Sequence, residues 1–114
     1  MHEYALVEAI IARVEEEVRQ QGAVGVHRVE LRVGDLAGVE RDLLASAWEI
    51  FRAGSCCAQA RLVIHKVPAR WDCGACGAPL AAGGALQCGR CGGAGRLVEG
   101  GELLLERIEL QVAG

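Results

Sequence analysis

The chain is 114 residues long and 52% hydrophobic, which is the size and apolar content of one core with a small appendage. Its formal charge of −3 supplies no basic field for a phosphate backbone, which argues against a nucleic-acid partner. No apolar run approaches the roughly 20 residues that span a bilayer, and the cysteines, with no signal-peptide pattern ahead of them, fit a reducing cytosol better than a secreted disulfide framework; a soluble, cytoplasmic protein with no membrane partner is expected.

From Tyr4 to Gln21 the residues Leu6, Val7, Ile10, Ile11, Val14 and Val18 recur at steps of three and four, with Glu8, Arg13, Glu15, Glu16, Glu17 and Arg19 on the other faces. That spacing predicts an amphipathic helix ended by Gly22. Val26 to Val33 alternates, predicting a strand with Val29, Leu31 and Val33 on one side and polar groups on the other, closed by a turn at Gly34-Asp35. A second helix is predicted from Glu40 to Arg52, carrying Leu43, Leu44, Ala47, Trp48 and Phe51 at core spacing, with Gly54 as its stop. Arg61 to Val67 alternates as a second strand. Leu103 to Val112 alternates as a third, setting Leu105, Arg107, Glu109 and Gln111 against Leu104, Glu106, Ile108, Leu110 and Val112. His27 and His65 fall within predicted strands, on polar or mixed faces, and read as surface histidines.

Between Pro68 and Gly101 lie ten of the sixteen glycines and few large apolar side chains. This stretch holds two copies of one phrase, Cys73-Gly-Ala-Cys76-Gly77 and Cys88-Gly-Arg-Cys91-Gly92. In each, the first thiolate starts a tight turn, the turn's amides point back at the sulfurs, and the following glycine takes positive φ at little cost. Eleven residues separate Cys76 from Cys88, enough for a loop that returns one knuckle to the other. Doubled spacing points to a closed four-thiolate Zn(II) site, because a redox pair would be single and would sit where a strand enters a helix. A closed site keeps no open position for substrate. Its metal supplies the free energy that a coreless segment lacks, on the order of 10 kcal/mol for a structural zinc.

The fold class that follows is α+β, a small mixed β-sheet covered by two helices, with an inserted four-cysteine zinc-ribbon-like module. Residues 1–68 and 102–114 would form one α/β domain and 69–101 the zinc-binding domain. The strands flanking the insert are expected to pair in the sheet.

The chain opens Met1-His2-Glu3, ahead of the predicted first helix. A free α-amine, the amide nitrogen of His2 and its imidazole Nδ1 can close adjacent chelate rings of five and six atoms, and a second amide or a carboxylate completes a plane. Such strong-field nitrogens suit Ni(II) or Cu(II). Because the α-amine titrates near roughly 7.7 to 8.0, uptake would release protons and weaken as pH falls. The competing reading is a solvated terminal histidine.

Met1-His2-Glu3-Tyr4 running into an amphipathic helix, the Arg32-Val33-Gly34-Asp35-Leu36 turn, the Trp48-Glu49-Ile50-Phe51 stretch and the two knuckles resemble, in order and over essentially the whole chain, the HypA/HybF family of hydrogenase maturation proteins. The resemblance implies a nickel metallochaperone, not an enzyme, serving [NiFe]-hydrogenase and in some bacteria urease. It implies nickel held by the Met1 amine and His2 with Glu3 contributing, Glu40 at the place of an acidic residue that assists in some members, and zinc held by Cys73, Cys76, Cys88 and Cys91. It implies a GTPase partner of the HypB type, the hydrogenase large subunit as client, and urease accessory proteins as further partners. The chain has no Gly-x-x-x-x-Gly-Lys-Ser/Thr loop of its own, so nucleotide hydrolysis would belong to such a partner.

Cys56 and Cys57 depart from the resemblance. They read either as small thiols partly buried beside a strand or as soft ligands open to metal or oxidation. Two other functions compete with metal delivery. A zinc-ribbon adaptor would bind protein through its knuckles, and its nucleic-acid form is disfavoured by the acidic charge and few aromatics. A zinc hydrolase would need a third-ligand histidine and a nearby base, which do not accompany the cysteines.

Overall fold

The computed structural model describes residues 2–81 and 86–113. Helix α1 spans His2–Gln21, so the first turn takes in His2 and Glu3, which the sequence had placed ahead of it. Val7, Ile10, Ile11 and Val14 are buried along one stripe, and Gly22, at φ 63, ends the helix in the left-handed region where glycine carries no side-chain penalty.

Strand β1, Ala23–Gly34, follows, with Val29, Leu31 and Val33 fully buried. Helix α2 spans Arg41–Phe51 and buries Leu44, Ala47 and Trp48. Glu40 and Arg52, expected inside α2, are its N-cap and C-cap residues. The half-buried ring of Phe51 stands edge-on to Tyr4, with centroids 5.5 Å apart at 81°, which fastens the end of α2 to the start of α1. Strand β2, Arg61–Val67, then completes a β-α-β unit, which accounts for its parallel pairing with β1.

The flanking strands do not pair with each other as expected. Strand β6, Leu103–Val112, runs antiparallel to β1, and the sheet order is β2-β1-β6. The central place goes to β1, whose inward valines and leucine are the best buried of the three strands. Both helices lie on that inward side, around a core of Val7, Val14, Val29, Leu31, Leu44 and Trp48, among others.

The alternation read for β1 and β6 is broken by extra residues. Val26 pairs with Leu110 and Arg28 with Glu109, which leaves His27 over and lets Val26 turn inward. Leu31 pairs with Leu105 and Glu30 with Arg107, which leaves Glu106 over. Beyond that bulge the phase of β6 reverses, so Leu103, Leu105, Ile108 and Leu110 all reach the core although strict alternation would divide them.

Among the described residues, the insert carries three short strands where no element was predicted. These are β3, Arg70–Cys73, β4, Pro79–Leu80, and β5, Gly95–Glu99, in an antiparallel sheet of order β4-β3-β5. Trp71 lies opposite both Leu80 and Leu97, so the few large apolar side chains of this stretch converge. Backbone bonds at the turn after β1 tie down both ends of the insert. Asp35 N–H donates to Val67 O at 2.9 Å, Leu36 N–H to Gly100 O at 2.9 Å, and Gly34 N–H to Glu102 O at 3.0 Å. The molecule is elongated, with extents of 57 × 30 × 16 Å and a radius of gyration of 18.1 Å, against about 13 Å for a compact globule of this length.

Candidate metal centres

Cys73 ends β3, and the chain turns back at once. Gly77 N–H donates to Cys73 O at 2.9 Å, and Cys73 N–H to Ala78 O at 2.8 Å. The second knuckle repeats the bonds, from Gly92 N–H to Cys88 O at 2.9 Å and from Cys88 N–H to Gly93 O at 2.8 Å. Gly77 and Gly92 sit at φ 78 and 77, the left-handed backbone that closes such a turn. Amides of Ala75 and Cys76 point at Cys73 Sγ, that of Arg90 at Cys88 Sγ, and that of Gly93 at Cys91 Sγ, each at 3.4 Å.

All four sulfurs lie within 4.8 Å of one another, with Cys73 and Cys91 at 3.4 Å and Cys76 and Cys88 at 3.8 Å. A tetrahedron with Zn–S bonds of about 2.3 Å has edges of about 3.8 Å, so the set fits zinc. Charge points the same way. The amides of Cys76 and Ala75 lower the Cys73 thiol to about 6, and those of Cys91 and Arg90 lower Cys88. The Gly93 amide acts likewise on Cys91, but its sulfur neighbours outweigh it and hold that thiol up to about 12. Four thiolates this close need a cation among them. Cys73 and Cys88 are buried while Cys76 and Cys91 are exposed, so the sulfurs are gathered at the surface of the insert.

Gly93 was not singled out in the sequence. A Cβ there would stand 2.8 Å from Ala75 Cβ, 2.9 Å from Cys73 Sγ and 3.3 Å from Cys91 Sγ, so its bareness lets the knuckles close. The doubled Gly92-Gly93, against Gly77-Ala78 in the first knuckle, is the trace it leaves.

At the other candidate site, Met1 lies outside the described residues. The His2 side chain is 62% exposed, with Nδ1 4.0 Å from Glu3 Oε2. Glu3, in contrast, is buried, and its carboxylate accepts a hydrogen bond from the amide of Glu40 at 3.2 Å. That bond holds its carboxyl below the usual range. Fold thus brings His2, Glu3 and Glu40 together. The Glu40 side chain is exposed and makes no cap hydrogen bond to α2.

His65, read from the sequence as a surface histidine, is paired, and the adjacent cysteines Cys57 and Cys56 pack as a buried and a half-buried thiol. His65 Nε2 lies 2.8 Å from Glu30 Oε1, and Arg28 stands 3.6 Å from the same buried carboxylate, whose acidity His65 raises most. Around them Arg32, Glu99, Glu106 and Glu109 extend an ion-paired open face. His27 is exposed. Cys57 is fully buried in the core and burial pushes its thiol up to about 12, while Cys56 is half-buried with its sulfur 3.8 Å away. Their surroundings favour packing over thiolate chemistry. Among the described residues no helix is long and apolar enough to cross a membrane.

Comparison with known proteins covers nearly the whole chain. Residues 1–110 match the family model described as hydrogenase/urease nickel incorporation, metallochaperone, hypA. The hydrogenase maturation factor HypA of Nitrosospira multiformis is 38% identical over 112 residues, which is 96% of this chain and 97% of that protein. Among solved structures, the solution structure of the Ni metallochaperone HypA from Helicobacter pylori superposes with a TM-score of 0.72 at 26% identity, over 97% of this chain and 98% of that one. A second HypA solution structure superposes with a TM-score of 0.81 at 27% identity, over 99% of this chain and 98% of that one.

Proposed function

This chain belongs to the HypA family of nickel metallochaperones for hydrogenase maturation, and on that premise we propose that it carries one Ni(II) at its N-terminus and one structural zinc in its insert. The nickel ligands are the Met1 amine, the amide and Nδ1 of His2, and the amide of Glu3. The supporting observation is that His2 and Glu3 form the first turn of α1, where backbone N–H groups have no intrahelical acceptor. Deprotonating these amides therefore sacrifices no helical hydrogen bond. With its carboxylate held by Glu40, Glu3 contributes its backbone nitrogen, and the exposed Glu40 side chain stays available to assist from α2.

A terminal, exposed site suits a carrier, because a partner can reach the cargo and take it. Zinc differs in having no open coordination position. Cys73, Cys76, Cys88 and Cys91 hold it in a closed set, where its charge offsets the thiolates and orders residues 69–101 as a unit distinct from 1–68 and 102–114. The protein binds and transfers without catalysing a reaction of its own. It works in the cytoplasm with a GTPase of the HypB type and serves the hydrogenase large subunit, and also urease, with urease accessory proteins as further partners; urease nickel incorporation is named in the family's description.

The experiment compares native protein with His2→Ala and with a form carrying one residue ahead of Met1. Both changes weaken nickel binding greatly while zinc content and the far-ultraviolet spectrum stay unchanged. Native-like nickel affinity in both altered proteins would sink the terminal site.

A further inference from the structure

The two knuckles repeat each other in backbone and differ at one sulfur. Cys73 Sγ accepts from the amides of Ala75 and Cys76, Cys88 Sγ from that of Arg90, and Cys91 Sγ from that of Gly93, each at 3.4 Å. Among the described residues no N–H reaches Cys76 Sγ. The donor to Cys91 sits two places after it, and Ala78, which holds that place in the first knuckle, makes no such bond.

Exposure separates the sulfurs a second time. Cys73 and Cys88 are 1% and 4% exposed, whereas Cys76 and Cys91 are open to solvent. An N–H bond to sulfur draws charge from a thiolate and lowers its nucleophilicity, and burial keeps reagents out. Of the four, only Cys76 has neither protection.

We propose that Cys76 is a modification site for hydroperoxides, at which oxidation closes a Cys76–Cys88 disulfide and releases the zinc. The proposal rests on zinc occupying the four-sulfur set. The Cys76 thiolate attacks one peroxide oxygen, the O–O bond breaks and hydroxide leaves, which makes Cys76 a sulfenic acid. The Cys88 thiolate, 3.8 Å away, then attacks that sulfur, so that the S–S bond forms, the S–O bond breaks and a second hydroxide leaves. Two protons from solvent turn both hydroxides into water. The thiolates have together lost two electrons, and the peroxide has gained them.

This pair crosses from one knuckle to the other, so a single disulfide takes one ligand from each. Two sulfurs remain, too few for a closed zinc site. Without the metal, residues 69–101 lose what orders them. The core behind the β2-β1-β6 sheet contains none of these four cysteines and keeps its packing. Peroxide thus acts on the insert and spares the part of the chain that carries nickel.

The full zinc-loaded chain is titrated with hydrogen peroxide below one equivalent, released zinc is read with a colorimetric chelator, and disulfides are mapped by peptide mass. One zinc is expected for each Cys76–Cys88 disulfide. In a separate arm, brief treatment with iodoacetamide labels Cys76 about tenfold or more faster than Cys91. Cys56→Ser removes the half-buried thiol outside the insert and leaves zinc release unchanged. First labelling at Cys91 overturns the proposal, as does a Cys73–Cys91 disulfide in place of the expected one, or release that slows in Cys56→Ser. A chain purified without zinc overturns the zinc reading itself, and the proposal with it, before any oxidant is added, so the two failures are told apart.

Discussion

The carboxylate of Glu3 and the backbone amide of Glu40, 37 residues apart in sequence, are joined by a hydrogen bond of 3.2 Å. It ties the first turn of α1 to the residue that starts α2. Acidic charge near a helix N-terminus is favourable, and here it comes from another helix.

Glu3→Ala removes the acceptor and is expected to lower the unfolding midpoint and speed amide exchange at Glu40. Glu3→Gln keeps an acceptor oxygen and has the smaller effect. The Glu40 amide holds the folded Glu3 carboxyl below its unfolded value. Its contribution is therefore present above the unfolded value, and is lost as pH falls through the folded one. Denaturation midpoints between about pH 6 and pH 3 should fall less steeply for Glu3→Ala than for the native chain. Equal slopes would mean that the bond does not hold in solution.

Gly93→Ala is expected to weaken zinc binding by about 10-fold to 100-fold in competition with a chelator, because the new methyl meets Ala75 and two ligand sulfurs. Gly89→Ala is the control. Its Cβ meets nothing within 4 Å, and zinc affinity there should match native.

Removing zinc by chelation, or Cys73→Ser, should collapse the amide spectrum of the insert and leave residues of β1, β2 and β6 near their native shifts. The converse change is Leu31→Ala, which empties space in the core of the other sheet. It should cost about 2 to 5 kcal/mol in denaturant unfolding while zinc content stays at one per chain. Loss of both sheets together in either case would show that they fold as one.

Acid should act through the pair on the open face. The hydrogen bond from His65 is the largest influence lowering Glu30, ahead of the charges of His65, Arg107 and Arg28. A depressed carboxyl stabilises above its unfolded value and ceases to do so as pH falls through its folded one. His65→Gln weakens that depression. Midpoints of the native and substituted chains should separate near pH about 5 and converge toward pH about 3. A constant gap across this range would assign the effect to packing.

Both helices, the three long strands and the knuckles were legible in the chain because each is written in local spacing. Steps of three and four residues mark α1 and α2, and Cys-x-x-Cys-Gly marks a turn whose hydrogen bonds span only a few residues. The short strands of the insert were not legible. Four, two and five residues long, they carry almost no periodicity and exist through pairings such as Trp71 with Leu97. Nor was the reversal within β6, since nothing near Glu106 distinguishes a bulge from a paired position until β1 lies alongside.

By itself the sequence determined the zinc-fitting cysteines, the tight turns they make, and the two helices and three long strands, because these depend on residues near one another along the chain. Tertiary structure decided what distant residues do to each other. It placed β1 between β2 and β6, buried Glu3 against Glu40, set His65 on Glu30, and brought two knuckles close enough that Gly93 cannot bear a side chain. Those outcomes rest on which surfaces meet when one core is closed, and local spacing does not encode that meeting.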